Sequence, residues 1–182
     1  GKAVRFDEND VRPMGRQARG VRGMNLEENQ QVIAMLVAPA ETAGEGAQSV
    51  AGSVLTATEN GYGKRTPISE YTRHGRGTKG MIAIQTSERN GKVVAAALVA
   101  PEDEIMLITT GGVLIRTRVD EIREMGRATQ GVTLISVGEG NKLSGLQRVM
   151  ESDAEGAESV EGADAADAAP DADAQPDDSS ET

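Results

Sequence analysis

One short pattern occurs three times in this chain: Gly-Arg, three further residues, and a second Gly. The three copies, together with the residues that flank them, align with one another without gaps. A further arginine stands eleven residues before the arginine of each copy. The copies follow one another at steps of 60 and 51 residues, at Gly15, Gly75 and Gly126; Arg16, Arg76 and Arg127; Gly20, Gly80 and Gly131; and Arg5, Arg65 and Arg116. Self-similarity at such a period predicts a repeat architecture with one supersecondary structure per unit.

Short apolar runs rich in β-branched residues accompany each copy and are bounded by Gly, Asn and Pro, which is typical of strands. They cover residues 32–37, 54–58, 81–84, 93–99, 105–110, 132–137 and 143–149. The runs are too short for helices, although residues 119–125 could hold a single turn of helix. We expect an all-β fold of four-stranded, propeller-like blades arranged around an axis. About three blades are present, and the first is incomplete because Gly1 stands where Gly61 and Gly112 follow a leading strand. We therefore expect this chain to be a fragment of a longer one.

Charge divides the chain into two parts. All nineteen Lys and Arg lie in residues 1–150 with seventeen of the acidic residues, whereas residues 151–182 hold the other twelve and no base. The body is thus slightly basic, although the whole chain carries a net charge of −10. A tail with so few large apolar residues cannot offset its ordering entropy, so we expect residues 151–182 to be disordered. This tail either keeps the protein in solution or competes with an anionic ligand or binds a basic partner.

Within the body, we expect blades at about residues 1–50, 51–101 and 102–150, which together form one partial domain. The first period is nine residues longer than the second. The extra residues fall after Pro39, which predicts a flexible surface loop over residues 40–53.

Several kinds of chemistry are excluded or disfavoured by composition. The chain has no cysteine, which removes disulfides and thiolate chemistry and fits a reducing cytoplasm. His74 is the only histidine, so no histidine metal cluster can form, and we find no catalytic constellation. No apolar run is long enough to span a bilayer. Gly75, Gly77 and Gly80 spell a dinucleotide-binding pattern, but no helix pattern follows them. We expect no catalytic residue, no metal and no cofactor in this chain.

The repeated glycines and arginines favour an anionic ligand. Glycines let backbone N–H groups approach an anion, and the guanidinium fork matches phosphate oxygens. The simpler interpretation is that the glycines make hairpin bends and the arginines solvate an outer face. Because the same residue recurs at the same repeat position, we favour a polyanion bound along a basic rim. The candidate DNA-binding residues are Arg5, Arg16, Arg19, Lys64, Arg65, Arg76, Lys79, Arg116 and Arg127. A blade-type scaffold whose basic rim binds an acidic protein is the alternative from another class.

Four stretches carry a family resemblance: ENGYGKRTPISEY, HGRGTKG, DEIMLITTGGVLIRT and MGRATQGVTLI. They resemble the last blades of the C-terminal domain of the bacterial DNA gyrase A subunit, and the likeness covers nearly all of residues 1–150. The residues of these stretches favour gyrase over the related topoisomerase IV protein, which remains an alternative. The family's hallmark motif is QRRGGKG. Residues 74–80 of this chain differ from it at His74, Gly75 and Thr78. The family's main wrapping determinant is therefore expected upstream of Gly1.

The resemblance implies a β-pinwheel that wraps double-stranded DNA, so that the whole ATP-hydrolysing type II topoisomerase introduces negative supercoils. It also implies two partner proteins, the gyrase B subunit and a second A subunit, contacted through N-terminal regions that this chain lacks. ATP and Mg²⁺ would be held on the B subunit. The DNA-cleaving tyrosine belongs to the missing region, so this chain alone is not expected to cut DNA. The implied location is the bacterial cytoplasm, in association with the nucleoid.

Overall fold

A computed structural model describes residues 1–39 and 52–149. The acidic tail and nearly all of the predicted loop over 40–53 lie outside the described residues. Across the described ranges the regular structure consists of strands and single 3₁₀ turns, without an α-helix. The prediction of an all-β fold is confirmed. None of the described residues belongs to a helix with the length and apolarity needed to cross a bilayer.

The described residues form nine strands. They are β1 (Lys2–Ala3), β2 (Ser53–Thr58), β3 (Tyr62–Pro67), β4 (Met81–Ile82), β5 (Val93–Val99), β6 (Glu104–Thr109), β7 (Leu114–Arg118), β8 (Val132–Thr133) and β9 (Leu143–Val149). Three 3₁₀ turns, Glu8–Asp10, Ile68–Glu70 and Val119–Glu121, occupy the same position in each repeat unit. The third of them is the turn of helix predicted within residues 119–125.

The strands form three antiparallel sheets. Their orders are β1-β4, β5-β2-β3-β8 and β7-β6-β9. Tight turns join β2 to β3 and β6 to β7, and Gly61 and Gly112 in these turns have φ near 80°. Glycine takes this left-handed conformation without a steric penalty, so these two residues determine where each hairpin reverses.

The four-stranded sheet is shared between two repeat units. Strands β2, β3 and β5 belong to the second unit, whereas β8 comes from the third and pairs with β3 through Tyr62–Thr133 and Gly63–Val132. The pair β1-β4 joins the first unit to the second through the equivalent residues, Lys2–Ile82 and Ala3–Met81. The third unit therefore covers the outer edge of the β2-β3 hairpin with β8, and the second unit pairs β4 with β1 of the first unit in the same way.

Two apolar clusters lie where units meet. One contains Leu55, Val99, Ile105, Ile122 and Leu143 and so joins strands of the second unit to the third. The other contains Val54, Ile68, Tyr71 and Ala83, with Ala3 of the first unit packed against it. Burial of these side chains stabilises the contacts between units as well as the sheets themselves.

One predicted strand is absent from the described structure. Residues 32–37 have the apolar pattern of β5 and β9 but are not part of a strand, and Val32, Met35 and Val37 are highly exposed. Strands β5 and β9 pair with the leading strands β2 and β6 of their own units. Among the described residues, segment 32–37 has no such partner strand, and an apolar pattern alone does not form a strand.

Candidate nucleic-acid interface

Each Gly-Arg-x-x-x-Gly turn of the second and third units ends on a glycine pressed against the preceding unit. Gly80 and Gly131 have φ of 73° and 82°. A Cβ on Gly80 would collide with the carbonyl of Ala3, and one on Gly131 would collide with the backbone of Gly63. The closing glycine is therefore required both by backbone conformation and by close approach. The opening glycines of the three turns do not have positive φ, so only the closing glycines adopt the left-handed conformation.

Arg5 and Arg65, predicted as phosphate contacts, lie at the contacts between units. Arg5 Nη1 donates to the carbonyl oxygens of Ile68, at 3.2 Å, and Tyr71, at 3.1 Å. Arg65 Nε donates to the Ile122 carbonyl oxygen at 2.6 Å. Both side chains are half-buried. These arginines cap a backbone turn of the following unit, which gives their recurrence a structural reason independent of any ligand.

Lys64 is fully buried, and this corrects its prediction as a DNA contact. Its Nζ donates to the carbonyl oxygens of Gly126 and, at 2.6 Å, Arg127. Burial lowers the pKa of Lys64 to about 8; the nearby Glu70 carboxylate opposes this shift and Arg127 adds to it. The ammonium holds the third unit's turn on the second unit and has no exposed surface for a phosphate.

Arg76 and Arg127 make equivalent contacts with the unit before them. Arg76 Nη1 donates to the Arg22 carbonyl oxygen at 3.1 Å, and Arg127 Nη1 donates to that of Ile82 at 3.0 Å. Arg76 Nε also donates to the Asp10 carbonyl oxygen at 2.9 Å. Arg76 is nevertheless exposed, whereas Arg127 is half-buried. A guanidinium has five N–H donors, so an exposed Arg76 can hold its neighbour and still face an anion.

The remaining predicted residues are exposed. Arg16 and Arg19 lie in the first turn. Lys79 lies in the second, with its Nζ 3.4 Å from Glu27 Oε1. Arg116 forms an ion pair with Glu104 across the β6-β7 hairpin. Lys2 and Lys79 lower the pKa of the Glu27 carboxyl, which records a locally positive field.

Exposed cations concentrate around the first two turns. We call this surface the basic edge; it consists of Arg12, Arg16, Arg19, Arg22, Arg76 and Lys79. Arg22 was not predicted, because the prediction used repeated positions and its repeat equivalents Ile82 and Thr133 are uncharged. The sequence could have indicated Arg22 by its position, two residues after the first turn ends at Gly20. The third turn differs, since Gln130 replaces the basic residue and acidic side chains at Asp120, Glu121 and Glu124 lie close to it in sequence.

Residues 1–39 and 52–149 contain no group of three or more His, Asp or Glu side chains able to hold a metal ion. His74 is exposed on the second turn. The described residues bring together exposed cations at the first two Gly-Arg turns.

Blade-like sheets that share strands with the next unit, together with a repeated turn at each contact between units, define a propeller-like repeat protein. A family model described as "DNA gyrase C-terminal domain, beta-propeller" matches residues 1–39, 52–100 and 103–150. The chain belongs to this family.

Two relatives with similar sequences are A subunits of DNA gyrase. The chain is 52% identical over 148 residues to the DNA gyrase A subunit of Neisseria gonorrhoeae, a match covering 81% of this chain and 16% of that protein. It is 53% identical over 151 residues to the DNA gyrase A subunit of Pseudomonas aeruginosa, covering 83% of this chain and 15% of that protein. The chain thus spans about a sixth of the length of these relatives.

Solved structures agree with the fold. A structure titled as the DNA gyrase A C-terminal domain superposes with a TM-score of 0.71 at 27% identity, covering 82% of this chain and 48% of the other. The C-terminal domain of DNA topoisomerase IV gives a TM-score of 0.72 at 23% identity, covering 82% and 44%. The second likeness shows a common fold.

Proposed function

We propose that this chain binds and wraps double-stranded DNA as part of a DNA gyrase A subunit. The observation that carries the proposal is the basic edge, on which exposed cations line two successive turns of a propeller-like array. Exposed cations on successive turns suit the phosphates of a duplex. Relatives named as the A subunit of DNA gyrase, rather than as part of topoisomerase IV, favour gyrase among the type II topoisomerases.

The role of this chain in the proposal is electrostatic. Contacts to phosphates carry no sequence information and release counterions, so binding weakens steeply as salt rises. For wrapping, the free energy of these contacts must also exceed the elastic free energy of bending the duplex. In the whole enzyme, a wrapped segment would be presented for strand passage. We propose that the B subunit holds ATP and Mg²⁺, that a second A subunit completes the assembly, and that it acts in the bacterial cytoplasm on nucleoid DNA.

DNA affinity measured across a salt series tests the proposal. The test variant neutralises four cations of the basic edge: Arg16→Gln, Arg19→Gln, Arg22→Gln and Lys79→Gln. The slope of log K against log salt is negative, and each phosphate contact adds about 0.9 to its magnitude. We therefore expect the slope of the test variant to be shallower by roughly 3 to 4. Fluorescence anisotropy with a labelled duplex of unrelated sequence gives the slope.

A matched control removes the same charge elsewhere, with Arg89→Gln, Lys92→Gln, Arg118→Gln and Lys142→Gln, all at exposed positions. The control should keep a slope close to that of the unaltered chain. Equal losses in the two variants would mean that net charge, and not the basic edge, determines binding. An unchanged slope in the test variant would remove the basic edge from the DNA contact.

A further inference from the structure

We propose that the Glu70 carboxylate occupies a phosphate position on the third Gly-Arg turn and competes there with the DNA backbone. This inference rests on the proposed DNA binding and deepens it, because it assigns one side chain that limits how far the duplex follows the turns. It is carried by a contact between the second and third units that the equivalent contact between the first and second units does not have.

Glu70 is placed beside the third turn by its own 3₁₀ turn, Ile68–Glu70. The residues on either side of it, Ile68 and Tyr71, are 7% and 3% exposed, and Arg5 donates to the carbonyl oxygens of both. Glu70 itself is exposed. The backbone that carries Glu70 is therefore anchored, whereas its side chain lies at the surface, where rotamers exchange rapidly.

The Glu70 carboxylate contacts the start of the third turn at its backbone. Arg127 N donates to Glu70 Oε2 at 3.2 Å. A Cβ on Gly126 would lie 3.7 Å from the same oxygen. An anionic oxygen on the backbone N–H that follows a glycine is the contact that a phosphate makes at an anion-binding turn. Glu70 thus supplies from within the chain what a phosphodiester would supply from outside it.

A cavity of about 470 Å³ opens at this contact. A water molecule takes up about 30 Å³ in the liquid, so the cavity has room for a phosphodiester group together with solvent. The residues that line it are Glu70, Ile82, Gly126, Arg127, Ala128 and Thr129. The occupant and the backbone of the turn therefore face the same space.

Arg127 has donor capacity that the described contacts do not use. Its Nη1 donates to the Ile82 carbonyl oxygen, but its Nε is buried and has no hydrogen-bond partner among the described residues. In the second turn, the Nε of Arg76 donates to the Asp10 carbonyl oxygen at 2.9 Å. A buried donor without an acceptor is unfavourable, and phosphate oxygens suit a guanidinium. A phosphate would satisfy the third turn more fully than one carboxylate oxygen does.

The second turn lacks such an occupant. Asp10 is the last residue of the 3₁₀ turn Glu8–Asp10, as Glu70 is of its own, but its side chain is shorter by a methylene group. Within residues 1–39 and 52–149, no carboxylate accepts from the backbone N–H of Arg76. A Cβ on Gly75 would meet nothing within 4 Å. The anion position is thus open on the second turn and occupied on the third.

Displacement of Glu70 requires movement of one side chain only. Lys64 Nζ donates to the carbonyl oxygens of Gly126 and Arg127, which holds the turn itself in place. While Glu70 stays on the turn, it occupies the Arg127 N–H and adds a negative charge that repels a phosphate. The duplex therefore contacts the basic edge first and reaches the third turn only when Glu70 rotates away.

The salt dependence of DNA affinity in the 182-residue chain tests this competition. Glu70→Gln removes the charge, and Glu70→Ala removes the occupant as well. The control Glu139→Gln removes the same charge at an exposed residue between β8 and β9. We expect the slope of log K against log salt to become steeper by about 0.9 in both Glu70 variants, for one added phosphate contact, and to stay unchanged in the control. Unchanged slopes in both Glu70 variants, or an equal change in the control, overturn the proposal.

Backbone amide resonances separate this competition from DNA binding itself. A duplex of unrelated sequence is added to the unaltered chain and to Glu70→Gln, and each spectrum is compared with that of the same protein without DNA. The Arg76 amide should shift in both proteins, and the Arg127 amide should shift several times further in the variant. A shift at Arg76 with no added shift at Arg127 overturns the role of Glu70 alone. No shift at Arg76 in either protein overturns DNA binding by the basic edge and, with it, this inference.

Discussion

Lys64 Nζ donates a hydrogen bond to the carbonyl oxygen of Arg127 across 2.6 Å, with the lysine side chain fully buried. The contact fastens the Gly-Arg turn of the third unit to a strand of the second. Val4 and Ile115 stand at the equivalent positions in the other units. The buried ammonium therefore belongs to one contact between units, where it replaces an apolar side chain.

Lys64 makes stability depend on pH in a definite direction. Its pKa is about 8 in the folded chain and near 10.4 when unfolded, so between these values the unfolded state binds more protons. Its contribution to the free energy of unfolding then rises with pH. We expect a gain of roughly 1–2 kcal/mol between about pH 7.5 and 9.5, relative to Lys64→Met, from urea denaturation. Glu70 and Arg127 face the site in both proteins, so the difference isolates the lysine. Parallel pH profiles would contradict the buried ammonium.

Gly131 and Gly20 form a matched pair for substitution. Both have positive φ, but only Gly131 is pressed against another strand, at the backbone of Gly63. We expect Gly20→Ala to cost about 1 kcal/mol of unfolding free energy in dilute solution, from backbone strain alone. Gly131→Ala should cost at least about 2–3 kcal/mol, because the collision also opens the β3-β8 pair. Thermal and urea denaturation followed by circular dichroism give both values. Equal losses would remove the close approach as the reason for the glycine.

Arg65 should matter more for stability than Arg116, although both occupy one repeat position. The Arg65 guanidinium caps the backbone at Ile122, whereas Arg116 pairs with Glu104 at an exposed site. We expect Arg65→Gln to cost roughly 1–3 kcal/mol and Arg116→Gln at most about 1 kcal/mol, measured on dilute chain. The opposite order would show that capping of the following unit contributes little.

Much of the fold was predictable because strand formation here depends on local sequence. The runs that became β2, β5, β6 and β9 are apolar, β-branched and bounded by turn residues. Residues 32–37 show the limit of local pattern, since a strand also needs a neighbour to pair with. The sharing of a sheet between units could not be predicted from a repeat alignment, which gives equivalence between positions but not contacts between units.

The repeated turns of the candidate site could be read from the sequence, whereas the burial of Lys64 could not. Repetition of Arg16, Arg76 and Arg127 marked the turns, and the structure places the second and third turns at successive contacts between units. Lys64 was misassigned because a lysine is rarely buried, and sequence gives no sign of the two carbonyl oxygens that receive its ammonium. Arg22 was missed because it is not repeated.

Removal of residues 151–182 should strengthen DNA binding. The deleted segment carries twelve acidic residues and no base, so it repels DNA or competes with it for cations of the body. We expect a higher affinity at low salt that converges with that of the full chain as salt rises. Anisotropy titrations at two salt concentrations measure the effect. Equal affinities at low salt would leave the tail with a solubilising role only.

The linking number of closed DNA tests wrapping most directly. Nicked circular DNA is saturated with the 182-residue chain, sealed by ligase, freed of protein and resolved on a gel. We predict a topoisomer distribution displaced from that of DNA sealed alone, with the displacement reduced by the four substitutions on the basic edge and kept by the matched control. A distribution identical to that of DNA alone, at concentrations where binding is saturated, would contradict wrapping; the chain would then bind DNA without bending it around its rim.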